Sequence, residues 1–228
     1  MSPTVLFFGA IGTLAETSDL QRRAYNRAFA EADLDWIWDA ASYRWMLQQP
    51  GGKARLRSYA EAAGDKIDVD TLHQAKMRHF AHLVLHGGIE LREGVADVMS
   101  ATQRQGIRLG FATSTAREQS DLILTGLAPD LAPYMFQWIG DRSMVARGKP
   151  APDIYEAGLK ALDVSPSMAL AIEDTPESAE AALAAGLSVI GFPGVAAQGR
   201  SFPPGVPVVD RLSPDLLDML PRQAHAAE

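Results

Sequence analysis

The sequence predicts an α/β fold in which a parallel sheet is covered by helices and an all-helical segment is inserted after the first strand. Three observations predict it. From about residue 95 onward, short apolar runs alternate with helical segments, the pattern of a parallel sheet. A first apolar run, Val5 to Phe8, stands far ahead of the others, and the chain between it and about His86 carries helical pattern only. Four segments carry Gly, Thr, Lys or acidic residues, each placing polar groups at the carboxyl end of a strand, where ligands bind in such sheets.

Taken in order, Val5 to Phe8 reads as a buried parallel strand, since it is apolar throughout and stops at Gly9. Ser18-x-x-Gln21 has the form of a capping box and opens a helix with Leu20, Ala24 and Ala28 on one side, Tyr25 and Phe29 beside them. The insert carries Trp36, Trp38 and Trp45, read as core, and is divided by a turn at Gln49-Pro50-Gly51-Gly52. Val95 to Gln105 is a helix closed by Gly106, and Ile107 to Ala112 a strand. A second box, Thr115-x-x-Glu118, opens the next helix. Tyr134 to Ile139 reads as a short strand, Asp153 to Leu162 as a helix and Met168 to Ile172 as a strand. Thr175-Pro176 caps a helix that Gly186 ends; Leu187 to Phe192 is a strand, Val208-Val209 a last short one, and Ser213-Pro214 caps a terminal helix before a frayed tail, RQAHAAE. The expected division is residues 1–14 with 89–228 as the sheet domain and 15–88 as the helical insert.

Composition removes several classes of function. The net charge is −7 and no Lys/Arg block occurs, so nucleic acid is not an expected partner. There is no cysteine, which excludes disulfides, thiol nucleophiles and Cys-bound metals and fits a reducing, cytoplasmic setting. Neither a signal-peptide pattern nor a run of transmembrane length is present, so no membrane association is expected. A monomer is expected.

Gly9-Ala10-Ile11-Gly12-Thr13 follows the first strand as a phosphate-binding turn would. One reading is the dinucleotide fingerprint, because GAIGTLA fits G-x-x-G-x-x-A. That reading requires a second strand ending in an acid about twenty residues on, and helical sequence stands there instead. The other reading combines FFGAIGTLAET, RLGFATSTARE, RGKPAPDIY and ALAIEDTPESAEAALAAG. Thr113 and Ser114 offer hydroxyl and backbone donors to phosphate, Lys149 a compensating charge, and Glu173 and Asp174 hard oxygen ligands suited to Mg²⁺. Each has a plainer reading: a helix cap for Thr113-Ser114, a solvated lysine for Lys149, dipole-favoured first-turn acids for Glu173-Asp174, and a turn alone for Gly12-Thr13. His73, His79, His82 and His86 suggest a metal cluster by count, but no carboxylate or cysteine partner is evident and the segment reads as an amphipathic helix.

The segments GTLAET, RRAYNRAFAEADLDWIWD, GGK, GKPAPDIY and IEDTPESAEAALAAG resemble the haloacid dehalogenase (HAD) superfamily over nearly the whole chain, and within it the CbbY-like sugar-phosphate phosphatases, a group that includes xylulose-1,5-bisphosphate phosphatase. The resemblance implies a Rossmannoid parallel-sheet core, an inserted helical cap and Mg²⁺-dependent hydrolysis of a phosphosugar through an aspartyl phosphate. It implies catalytic roles for Thr113 and Lys149, substrate contacts from Thr113, Ser114, Lys149, Glu16, Lys53 and Arg55, and Mg²⁺ ligation by Asp174, Glu173 and the backbone carbonyl of Ile11. A solvated-face reading of Glu16, Lys53 and Arg55 stands beside that role.

The first motif departs from the family pattern F-D-x-D-G-T-L. Gly9 stands at the nucleophile position and Ile11 at the acid/base position, ahead of an intact Gly12-Thr13-Leu14. Glycine has no side chain to attack phosphorus, and isoleucine neither gives nor takes a proton. The resemblance also implies a histidine where Gln21 stands and a glycine where Ser178 stands. Loss of a nucleophile costs roughly 10⁴ to 10⁶ in kcat. The expectation is a silent or strongly impaired phosphatase with weakened Mg²⁺ binding that keeps affinity for phosphate or a phosphosugar. The alternatives are catalysis rescued by another group and the dinucleotide-binding oxidoreductase.

Overall fold

The computed structural model describes residues 4–49, 51–128 and 130–218. The chain divides into two compact units, Met1–Glu16 with Glu90–Glu228, and Thr17–Ile89.

The first unit is built on a five-stranded, all-parallel sheet of order β3-β2-β1-β4-β5. Its strands are β1 (Val5–Phe8), β2 (Arg108–Ala112), β3 (Trp138–Gly140), β4 (Ala169–Glu173) and β5 (Ser188–Gly191). Every residue of β1 and β4 is buried, as near-continuous apolar runs in a doubly covered sheet require. A four-residue helical turn, α1 (Ile11–Leu14), follows β1 directly. The register sets Phe8 beside Phe111 on one side and Ile172 on the other. The next residues of β1, β2 and β4 therefore emerge together, which brings Gly9, Ala112-Thr113 and Glu173-Asp174 to one edge of the sheet. The chain builds outward through β2 and β3, then returns past β1 to β4, so this edge is the topological switch point where ligand sites form. Phe7 anchors the core with edge-on contacts to Trp138 (6.0 Å) and Tyr155 (5.7 Å). Gly110 and Gly158 make room for that ring, since a β-carbon on either would collide with it.

The second unit contains α2 (Ser18–Glu31), α3 (Ala40–Met46), α4 (Gly52–Ala63) and α5 (Val69–Gly87). Asp39 and Asp68 cap α3 and α5 by accepting two backbone N–H groups each. Tyr25, Phe29, Trp36, Trp38 and Tyr43 form its aromatic core; the Trp38 ring lies 4.7 Å from Tyr25 and 4.8 Å from Phe29. Asn26 clamps the Trp38 backbone at both its N–H and its carbonyl, each at 2.9 Å. Trp45, expected in the core, is 71% exposed.

The remaining helices, α6 (Val95–Gln105), α7 (Arg117–Gly126), α8 (Asp153–Ala161) and α9 (Pro176–Ala184), belong to the first unit. Both sequence-predicted capping boxes fail. At α2 the cap position is Thr17, without a side-chain cap bond, and the Gln21 side chain that the box would use is bonded to Lys76. At α7 the cap position is Ala116, one residue later than expected, because the Thr115 N–H goes to Thr113 Oγ1 (3.1 Å) and its carbonyl accepts from Arg142 N. The expected strand at 134–139 is a 3₁₀ turn, Pro133–Met135, followed by the short β3. Val208-Val209 forms only a bridge to Gly191. A 3₁₀ turn, Pro214–Asp218, follows Ser213; the rest of the expected terminal helix, the tail and Pro50 lie outside the described residues. Among the described residues no helix is long and apolar enough to cross a membrane.

Candidate active site at the strand tips

The tip of β1 carries no side chain. Gly9 donates its N–H to Ile172 O at 2.9 Å, continuing the ladder to β4, and its carbonyl accepts from Lys149 Nζ. A β-carbon at Gly9 would collide with the carboxylate of Glu173, so the end of the Glu173 side chain fills the hollow that a larger residue 9 would occupy.

Lys149 reaches this point from the segment before α8. Its ammonium meets Glu173 Oε1 at 2.6 Å and Tyr155 OH at 3.2 Å in addition to the Gly9 carbonyl. Tyr155 donates its hydroxyl to the same Oε1. An ammonium has three N–H donors, and three protein acceptors stand around this one. Glu173 is fully buried, and its Oε2 has no hydrogen-bond partner. Burial pushes the Glu173 carboxyl above the usual carboxylate range, with Lys149 opposing; burial, then Glu173, pushes the Tyr155 phenol well above its ordinary value.

Asp174 follows β4. Its pKa is raised to about 7, first by burial and then by Glu173, with Lys149 and Arg92 acting in the other direction. A β-carbon on Gly12 would collide with its Oδ2, so the glycine of the first turn makes the close approach possible. Glu16 accepts from Val195 N at 2.8 Å and adds negative field at Asp174. Arg92 ties this corner together: its guanidinium donates to the carbonyls of Gly12 (2.6 Å), Phe192 (3.0 Å) and Pro193 (2.7 Å) and lies 3.4 Å above the Phe192 ring.

The other expected residues are found as follows. Thr113 is buried, receives the Thr115 N–H, and donates its own N–H to Gly140 O (3.1 Å). Ser114 Oγ accepts from Lys149 N at 3.4 Å. Thr13 is buried with its hydroxyl donated to Ala10 O at 2.6 Å. Ile11 is buried, and its carbonyl accepts from Ala15 N at 2.9 Å. Lys53 and Arg55 belong to the helical unit: Lys53 pairs with Asp70 at 2.6 Å, and Arg55 donates to the carbonyls of Met46 and Gln49. His79 pairs with Glu31, His82 and His86 lie ring to ring at 4.5 Å, and burial followed by the charge of Lys76 pushes the His73 imidazole down. Sequence reasoning missed Tyr155 and Arg92. Tyr155 ends the GKPAPDIY segment, so proximity to Lys149 was its available signal; Arg92 had none.

The donors present do not form a Mg²⁺ cradle. Mg²⁺ demands near-octahedral oxygen coordination. Glu173, expected as a ligand, is committed to Lys149 and Tyr155 through Oε1, and its Oε2 is enclosed. Gly9 supplies no side chain, which leaves Asp174, the neighbouring Glu16 already bonded to Val195 N, and the Ile11 carbonyl already engaged in the α1 turn. Among the described residues no group of three His, Asp or Glu side chains converges on a metal-sized space.

The dinucleotide reading fails on topology: the second strand in sequence is β2, reached only after the whole helical unit. Comparison with known proteins agrees. Residues 4–186 match the haloacid dehalogenase-like hydrolase family. The chain is 39% identical over 200 residues to Protein CbbY of Cereibacter sphaeroides, covering 86% of this chain and 87% of that one. It is 35% identical to Protein CbbY of Rhodobacter capsulatus, covering 89% and 90%. The crystal structure of CbbY from Rhodobacter sphaeroides in complex with phosphate superposes with a TM-score of 0.80 at 36% identity, covering 92% and 94%. A mutant of that protein in complex with xylulose-(1,5)bisphosphate gives 0.79 at the same identity. With a family match over most of its length and relatives of this coverage, the chain belongs to the haloacid dehalogenase-like hydrolase family, in its CbbY-like branch.

Proposed function

We propose that this chain is a catalytically silent CbbY-like phosphatase homologue that binds a phosphorylated sugar without hydrolysing it. One observation carries the reading: the strand tip that would present the nucleophile is Gly9, followed by Ile11 where an acid/base is required. Phosphoryl transfer through an aspartyl phosphate needs a carboxylate at the first position and a proton carrier at the second, and neither residue supplies one. Lys149, Tyr155 and Glu173 are present, but none is an open nucleophile: Glu173 is enclosed, the Tyr155 hydroxyl is donated to it, and the Lys149 ammonium is saturated by protein oxygens.

In this reading phosphate is held by the hydroxyls of Thr113 and Ser114 with Lys149 contributing its field, and Glu16 accepts from a sugar hydroxyl; Lys53 and Arg55, in the helical unit, are kept as substrate contacts on the family resemblance alone. The binding half of the reading is supported by the CbbY relatives crystallised with phosphate and with xylulose-(1,5)bisphosphate.

The test is a panel of phosphosugars assayed with the unaltered chain beside Gly9→Asp/Ile11→Asp, together with calorimetric titration of the same compounds. The unaltered chain is expected at background, roughly 10⁴-fold or more below an active phosphatase, with the double variant above it and a saturable heat for at least one phosphosugar. Turnover by the unaltered chain on the order of 1 s⁻¹ or faster, within the ordinary enzyme range, overturns the silent reading; absence of any saturable heat overturns the binding half.

A further inference from the structure

We propose that Glu173 has taken over the hollow at Gly9 and serves as the permanent counter-ion of Lys149, which turns the strand tip into a self-neutralised, metal-independent knot. Three observations converge on this. The Glu173 carboxylate stands where the first side-chain carbon of any other residue 9 would be, so the hollow is filled from within the fold. Its Oε1 takes both the Lys149 ammonium and the Tyr155 hydroxyl, and the third ammonium donor goes to the Gly9 carbonyl, so every N–H of the lysine is used. The positive charge of Lys149 and the negative charge of Glu173 cancel at 2.6 Å, with both side chains withdrawn from solvent.

The consequence reaches the divalent cation. A carboxylate locked onto a lysine and a tyrosine is not available to a hydrated ion, and its second oxygen has no open path to one. Asp174 then remains, with Glu16 beside it already accepting from Val195 N. Asp174, a Glu16 carboxylate already bonded to a backbone N–H and one engaged backbone carbonyl fall short of the oxygen set that Mg²⁺ needs, given how reluctantly it sheds water. The loss of cation affinity thus follows from where Glu173 goes, as well as from what residue 9 lacks. The inference is independent of whether a phosphosugar binds: it concerns the metal and the packing at Gly9.

The test uses the full chain and two measurements. The first is calorimetric titration with MgCl₂ alone, with thermal melts at low and high MgCl₂. No saturable heat and no shift of the melting temperature are expected; saturable binding or a dose-dependent rise in melting temperature overturns the proposal. The second is a double-mutant cycle between Gly9→Ala and Glu173→Ala, read by denaturant unfolding. Gly9→Ala adds only the colliding carbon, so in the native background it is expected to lower the folding equilibrium constant by about tenfold or more, and by less than about threefold once Glu173→Ala has cleared the space. An equal effect in both backgrounds overturns the proposal. Should Glu173→Ala be too unstable to measure, Glu173→Asp withdraws the carboxylate by one methylene while keeping its charge, and the same relief is expected.

Discussion

Each unit of the molecule buries one lysine, and the two are kept by different means. Lys149, in the sheet unit, leaves 5% of its side chain exposed and faces Glu173 at 2.6 Å, with the Gly9 carbonyl and the Tyr155 hydroxyl completing its donors. Lys76, in the helical unit, is 4% exposed and forms no ion pair among the described residues. It donates to Gln21 Oε1, lies 3.6 Å from Met77 Sδ, and sits 5.0 Å and 4.9 Å from the centroids of Tyr25 and Phe80. Its pKa falls to about 7, first through burial and then through the charge of Arg55. A carboxylate returns much of a cation's desolvation cost as Coulomb attraction. Two ring faces and an amide oxygen return less, and the proton is held correspondingly loosely.

The comparison breaks most visibly at the ion pair. Lys149→Met leaves the Glu173 carboxylate buried and uncompensated, and is expected to cost about 3–5 kcal/mol of stability at neutral pH, measured by urea unfolding. A loss under about 1 kcal/mol would mean that Glu173 is neutralised by something other than Lys149. In the helical unit the same substitution acts in the opposite direction. The folded-state pKa of Lys76 lies below its value in the unfolded chain, so folding penalises the protonated form. That penalty is complete below about pH 7 and fades as pH rises toward 10.5. Wild-type stability therefore rises with pH across this window, and Lys76→Met is expected to gain about 2 kcal/mol near pH 6 and nothing near pH 10. A pH-independent difference between the two proteins would remove the contrast. The smallest effect sharpens it: Phe80→Leu removes one face of the cage, is expected to cost about 1 kcal/mol, and should move the Lys76 titration, followed by side-chain NMR, to still lower pH. An unmoved titration would show that the ring does not hold the cation.

The sheet was legible because its strands are nearly unbroken apolar runs: Val5–Phe8 and Ala169–Glu173 are buried at every position and announce themselves without a partner. The Thr175 cap was legible too, since its bond to Ser178 N is local. The capping boxes at Ser18 and Thr115 were misread for a nonlocal reason: a box motif does not reveal that Gln21 is claimed by Lys76, on a helix far along the chain, or that Thr115 is tied to Thr113 and Arg142. At the site, the gap at Gly9 and Ile11 could be read directly, and so could the convergence of Lys149 with the acids of β4. The direction of Glu173 could not. A strand-end Glu-Asp pair looks like two ligands until the register of β1 against β4 lays the first of them over a glycine. Arg92 was invisible for the same reason, because its three acceptors are carbonyls and a backbone oxygen has no sequence signature.

Those three carbonyls belong to Gly12, near one end of the chain, and to Phe192 and Pro193, near the other. Arg92 is thus a hasp that closes only after the late part of the polypeptide has arrived, and the guanidinium is half-buried once it does. A polypeptide ending at residue 186, where the family match stops, would keep four of the five strands and still leave the hasp open on two of its three sides. The family match therefore ends short of two of the three carbonyls that this arginine gathers.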